Sequence, residues 1–248
     1  MDRAIRALTA LQGGRRLSLS ELAARLDLAP STTHGIVRTL VEHGMVVQER
    51  GSSRYQLGPA VLRLGNVYLD TLELRSRTIP WAEDLARRTG LAVRTGVLLL
   101  DDVVIIHHEP RPDGSRQMPE VGIVIPVHAS ALGKAMLAFL PDEAKRVMTS
   151  GALRSMTGET LTTRAELSAQ LDEVRSTGIA TEQEEAVIGE SAVASPVFDS
   201  WGTAIGAIGV VLSSGEPPLA HEAGATVRET ARALSRELGA ESWPPPAL

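Results

Sequence analysis

Side chains able to ligate a metal or to move protons are concentrated at His107-His108-Glu109, at His128, and in the acidic run Glu182-Gln183-Glu184-Glu185. A metal needs several ligands converging on one point, and acid–base chemistry needs a carboxyl or imidazole within reach of the proton it moves. Adjacent residues on a strand point to opposite faces, so His107 and His108 cannot both reach one ion, and Glu184 and Glu185 are separated in the same way. The chain has no cysteine, which excludes thiolate zinc, iron–sulfur and cysteine-nucleophile chemistry together. It also lacks G-x-S-x-G, a phosphate loop and H-E-x-x-H. The expectation is no catalytic constellation, no metal and no cofactor.

One segment reads as a ligand site. Pro126-Val127-His128-Ala129-Ser130-Ala131-Leu132-Gly133-Lys134 carries a strand into a helix through small residues, with Ser130 as N-cap. Free backbone N–H groups at such a start bind a carboxylate, phosphate or hydroxyl. An ordinary strand-to-helix turn, with Lys134 simply paired to an acid, explains the same residues.

A second site is expected near the amino terminus. A helix over 2–12 is followed by a short helix opened by the capping box Ser18-x-x-Glu21, a turn at 27–30, and a third helix from Pro30 to His43 stopped by Gly44. Ile36, Val37, Leu40 and Val41 form the expected buried side of the third helix. Its start and opposite side carry Ser31, Thr32, Thr33, His34, Gly35 and Arg38. Small hydrogen-bonding groups followed by one guanidinium suit the major groove of double-stranded DNA. Gly35 has two explanations, close approach to DNA or close packing on another helix. Two alternating runs around Arg50-Gly51-Ser52-Ser53 form a hairpin, with Arg50, Ser53 and Arg54 placed to touch phosphate or the minor groove. Three helices and a hairpin make a winged helix-turn-helix.

The elements that must position these sites follow from patterning. The expected organisation is a winged domain over 1–58, a linker and dimerisation helix over 59–78, a ligand-binding domain over 79–240, and a disordered tail over 241–248. Val61, Leu62, Leu64, Val67, Tyr68 and Leu72 give the linker an apolar side, and Pro80 begins a further helix ending at Thr89-Gly90. Strands are expected at 91–100, 103–108, 121–127, 179–184, 192–198 and 203–213, with helices at 130–140, 142–149, 163–177 and 217–238. That order implies an α+β fold with a mainly antiparallel sheet.

The 248 residues have 43% apolar and 22% charged side chains, enough for a real core, which excludes disorder as the main state. No apolar run approaches the ~20 residues of a membrane span, and the start has no signal-peptide pattern, so a cytoplasmic protein with no membrane partner is expected. The formal charge of -5 argues against nucleic acid only as an average. Residues 1–57 hold eight arginines against five acids, so a basic head is joined to an acidic body.

STTHGIVRTLVEHGMV, RYQLG, IPVHASALGKAMLAF, the EQEE run and SPVFD occur in this order across nearly the whole chain. In these stretches it resembles IclR-type transcriptional regulators, and THGIVRTL, LRLGNVYLD, LELR, the paired histidines and RPDGSRQ are most similar to the glycerol-operon repressors of that family. The resemblance implies a winged-helix domain, a linker helix and a GAF-like effector domain, acting as dimers or tetramers on operator DNA. It implies an effector pocket at Met118, Ser130, Ala131, Leu132, Glu182, Gln183, Ala192, Gly209 and Val211, to which the segment itself adds His128. Ala192, Gly209 and Val211 stand where some members have cysteine or serine, which disfavours a keto acid. The expected function is repression of a glycerol-catabolic operon, relieved by glycerol or glycerol 3-phosphate as the effector shifts the dimer between DNA-competent and incompetent arrangements. The alternatives are a regulator answering an aromatic or keto acid, and an enzyme built around His128 and Glu184 whose winged domain binds other proteins.

Overall fold

The structure, a computed structural model, describes residues 1–14, 16–213 and 220–244, with side chains from 223 onward in the last segment. It divides into two compact units, Met1–Thr71 and Leu72–Leu248.

In the first unit, α1 (Asp2–Gly14), α2 (Leu19–Leu26) and α3 (Pro30–Glu42) precede a hairpin of β1 (Val46–Gln48) and β2 (Tyr55–Leu57). The Ser18 and Glu21 side chains each bond the other's backbone N–H, forming the expected capping box, and Gly44 ends the third helix region at φ +68°. Ala7, Leu11, Leu22, Leu26, Val37, Leu40, Val46 and Tyr55 form the core. Ile5, at 58% exposure, lies outside it, because Ala7 and Leu11 are the residues of α1 that face inward. Next comes α4 (Pro59–Thr71), which buries none of its residues.

The linker differs from the single helix expected over 59–78. The chain breaks at Leu72, whose backbone is extended, and α5 runs over Glu73–Thr89 with Pro80 inside it. Proline normally opens or breaks a helix because it donates no hydrogen bond. Here Leu74, Thr78, Ala82, Leu85 and Ala86 are buried along one stripe, and that packing holds α5 together on both sides of Pro80.

The second unit is built on a sheet of β3 (Ala92–Leu99), β4 (Asp102–Glu109), β5 (Val124–Pro126), β6 (Ala180–Gln183), β7 (Glu190–Phe198) and β8 (Ala204–Ser213). The strand order is β5-β4-β3-β8-β7-β6, antiparallel throughout. One face packs on α5 and α9 (Ala220–Glu237), and the other on α6 (Ala131–Leu137). Behind α6 lie residues of α7 (Pro141–Thr149) and α8 (Arg164–Thr177), including Ala144, Val147, Leu167 and Leu171. Helices on both faces explain why Val103–Ile106 and Ala204–Leu212 read as continuous apolar runs. A bulge between Thr95 and Gly96 brings Arg94 opposite His108.

The expected start of the last helix at 217–219 and tail residues 245–248 fall outside the described residues. Within 241–244 the expectation of disorder is corrected. The Trp243 indole donates to the Pro196 carbonyl at 3.0 Å and meets Phe198 edge-on at 6.2 Å, so an aromatic anchor offsets the ordering entropy. Among the described residues no helix is long and apolar enough to cross a membrane.

Candidate functional site

Pro30 opens α3, and beyond it Ser31, Thr32, His34, Gly35 and Arg38 face solvent. A Cβ on Gly35 would meet nothing within 4 Å, so no described residue of this chain packs against it and the position is open. Thr33 is a correction to the expected set. It is fully buried and its hydroxyl donates to the Ala29 carbonyl, because Thr33, Val37 and Leu40 share the inward stripe. Val41, expected inside, is exposed for the same reason. At the hairpin, Arg50 and Ser53 are exposed, and Ser53 sits at φ +52°. Arg54 is already engaged, donating to the Arg16 carbonyl at 3.0 Å and to Glu21 at 3.1 Å, so it fastens the hairpin to the start of α2.

The second site lies in the other unit, on the sheet face beneath α6. Register places Ala194, Gly209, Arg94 and His108 in one cross-strand row, and Glu182, Ala192 and Val211 in the next on the same face. These rows form a narrow, nearly filled cleft with about 10 Å³ of open space, lined by Arg94, Ser130, Leu132, Glu182, Ala192 and Gly209, among others. Gly209 is required by packing, since a Cβ there would stand 2.5 Å from the Val193 carbonyl oxygen.

α6 enters this cleft by its amino terminus. Ser130 is extended and its hydroxyl accepts the Gly133 N–H at 3.0 Å, the expected N-cap. Gly133 lets the helix pack on the preceding 3₁₀ turn, Val127–Ala129, because a Cβ would fall 2.0 Å from the Val127 carbonyl oxygen. The Ala131 N–H donates to Glu182 Oε2 at 3.0 Å, so the N–H group available to a ligand is held by the protein's own carboxylate. Burial pushes the Glu182 carboxyl up to about 7, against the lowering influence of that N–H and of Lys134. Lys134 is fully buried, donating to Glu185 at 2.7 Å and Gln170 at 2.6 Å. Desolvation depresses its pKa, opposed by Glu185.

Of the expected effector residues, the structure gathers Ser130, Leu132, Glu182, Ala192, Gly209 and Val211 around the cleft, with Ala131 presenting its N–H. Three others are corrected. Gln183 is exposed because it follows Glu182 on β6 and alternation turns it to the opposite face. Met118 is 70% exposed on the 110–123 segment. His128 is buried with Nε2 3.0 Å from the Arg154 carbonyl oxygen, a position that braces the turn before α6.

Arg94 was missed by sequence reasoning. Its signal was available: an arginine inside the apolar run Leu91–Leu100 must find buried partners. Those partners are Glu120 and Glu190. His107 and His108 do take opposite faces, with Arg75 and Glu83 near the first and Arg94 and Glu120 near the second. Burial lowers both imidazole pKa values, and no cluster of three or more potential metal ligands occurs among the described residues. Glu185 is buried on Lys134.

Comparison with known proteins identifies the domains that carry these residues. Residues 1–50 match the IclR helix-turn-helix domain, and residues 66–236 match the C-terminal domain of bacterial IclR transcriptional regulators. The glycerol operon regulatory protein of Streptomyces griseus is 44% identical, with 97% of this chain and 96% of the relative covered. Its counterpart in Streptomyces coelicolor is 42% identical over the same shares. Among solved structures, an IclR transcriptional regulator from Alicyclobacillus acidocaldarius is 28% identical and superposes with a TM-score of 0.80, covering 95% of this chain and 96% of that one. With exposed polar groups on the second helix of a helix-turn-helix and a cleft in the C-terminal domain, the chain is a DNA-binding regulator rather than an enzyme, and it belongs to the IclR family of bacterial transcriptional regulators.

Proposed function

We propose that this regulator represses a glycerol-catabolic operon in the cytoplasm and leaves its operator when glycerol or glycerol 3-phosphate occupies the cleft beneath α6. The observation that carries this reading is 44% identity along nearly the whole chain to a glycerol operon regulatory protein. The exposed residues of α3, with Arg50 and Ser53 at the hairpin, contact double-stranded operator DNA. The regulator acts as a homodimer or tetramer, a reading supported by Leu62, Leu64, Val67 and Tyr68, all more than half exposed on α4. Such a helix needs an apolar partner, and helix-turn-helix proteins commonly read two half-sites. Ligand binding releases DNA because the effector prefers the arrangement whose half-site spacing does not fit the operator.

The test is chromatin immunoprecipitation with sequencing, followed by mobility-shift titration of the recovered fragments. Enrichment upstream of glycerol uptake and phosphorylation genes, with release by glycerol or glycerol 3-phosphate, is the expected result. Enrichment elsewhere, or release only by aromatic or keto acids, overturns the reading.

A further inference from the structure

Resting on the cleft as the effector site, we propose that Arg94 is its specificity-determining residue, binding the anionic group of a small hydroxylated effector, and that Glu120 occupies that group's place in the unliganded chain.

Arg94 lies in the cleft with only 13% of its side chain exposed. Glu120 grips its guanidinium in bidentate fashion, one oxygen on Nε and the other on Nη2 at 2.8 Å. Glu190 accepts from Nη1 and Nη2, both at 3.1 Å, through a single oxygen. The bidentate fork is the geometry that recognises a carboxylate or phosphate.

Two carboxylates therefore face one guanidinium, and Glu190 alone would balance its charge. His108 does not supply the missing positive charge, because burial favours its neutral form. Glu120 is the surplus partner and the one that can leave. Glu190 is held in β7 by pairing with Ser213 of β8, whereas Glu120 lies between β4 and β5 in a segment without helix or strand, whose residues 112–116 are all exposed.

Exchanging the Glu120 carboxylate for a ligand anion at the same fork preserves both charge and hydrogen bonds at Arg94. A neutral ligand would leave the guanidinium short of a partner, and burying it so is costly. The rest of the cleft suits a hydroxylated body. Glu182 can accept a hydrogen bond from a hydroxyl group, and Ala192, Ala194 and Gly209 keep the lining small. Only about 10 Å³ of the cleft is open in the unliganded chain, so a ligand gains its room only as Glu120 gives up its place. Departure of Glu120 also releases the 110–123 segment, which couples anion binding to a local change of shape.

The experiment is calorimetric titration of the full chain and its Glu120→Gln and Arg94→Gln variants with glycerol 3-phosphate, glycerate and glycerol. These separate a phosphate anion, a carboxylate anion and the neutral triol. Glu120→Gln should bind at least one of the two anions roughly tenfold more tightly than the parent, and Arg94→Gln should lose roughly tenfold or more, with glycerol unaffected by either change. Because Arg94→Gln leaves two half-buried carboxylates without their cation, Arg94→Gln/Glu120→Gln is the folded control and should also lose the anion. In the parent, the bound anion should raise hydrogen exchange in residues 110–123. Failure of both anions to bind, anion affinity indifferent to Glu120→Gln, or glycerol bound as tightly as either anion overturns the proposal. Anion binding through Arg94 without operator release would instead overturn the regulatory reading alone, and operator release by glycerol independent of Arg94 would leave that reading standing.

Discussion

On α3 the groups with recognition chemistry are turned outward, Ser31, Thr32, His34 and Arg38 all exposed, and Gly35 opens onto empty space. Beneath α6 the equivalent groups have been taken up by the protein itself: Glu182 by the Ala131 N–H, Arg94 by Glu120 and Glu190, and Lys134 by Glu185 and Gln170. The groups on α3 are left to a partner that brings its own charge and hydration. The cleft has to remain folded while empty, and unpaired charge in a low-dielectric interior is far more costly than on a surface. A ligand of the cleft must therefore compete with internal partners, whereas a ligand of α3 competes with water.

The sharpest way to break this contrast is at Lys134. Replacing it with methionine leaves Glu185, whose Oε2 already lacks a hydrogen-bond partner, buried beside an apolar chain. The expected loss is roughly 3–5 kcal/mol in the second unit, largely recovered in Lys134→Met/Glu185→Leu. Tryptophan fluorescence during denaturation reads that unit alone, since Trp81, Trp201 and Trp243 all lie within it. A loss below about 1 kcal/mol would show that the internal pairing contributes little.

A somewhat smaller effect is expected from pH. Burial holds the Glu182 carboxyl at about 7 rather than its usual 4.5. Between those values the folded unit keeps a proton that the unfolded chain has released, so stability falls as pH rises through the window and levels off above it. The full change is at most roughly 3 kcal/mol. Glu182→Gln should remove this slope from a series of denaturation curves at pH 4.5 to 7. An unchanged slope would place Glu182 in a wetter environment than the cleft provides.

On the outward-facing side, Arg38→Ala should weaken operator binding by about 1–3 kcal/mol, read by fluorescence anisotropy, with unfolding unchanged within roughly 0.5 kcal/mol. Arg38 is 70% exposed and pairs only loosely with Glu42 at 3.5 Å, so its loss disturbs no fold. Equal affinity would remove α3 from the groove. The mildest change is Gly35→Ala, which should stabilise the first unit by up to about 1 kcal/mol through helix propensity while reducing operator affinity. Stabilisation without loss of affinity would mean that the backbone does not approach DNA closely there.

Where signals act over a few residues, the sequence was readable. The capping box at Ser18 and Glu21, Pro30 at the head of α3, the stop at Gly44, and Ser130 before α6 each depend on neighbours one turn away. The alternating and continuous apolar runs likewise marked the strands of the sheet and its antiparallel class. Family resemblance pointed to residues that the structure gathers around the cleft, Ala192 of β7 and Gly209 and Val211 of β8 among them. The misses arose where packing chose between locally similar options. Thr33 went inward and Val41 outward because α3 is rotated on its core, and Trp243, expected to be disordered, packs edge-on against Phe198.

Taken by itself, the sequence determined the order of most helices and strands, because propensity, capping and hydrophobic period are local properties of the chain, and its motifs carried the resemblance that named the family and pointed to the small residues beneath α6. Only the tertiary structure decided which charges meet. Arg94 joins Glu120 and Glu190 across separations of 26 and 96 residues, and Lys134 joins Glu185 across 51. Those partnerships depend on strand register and on how α6 sits on the sheet, and burial then turns residues indistinguishable from solvated surface charges into the internal partners of the cleft.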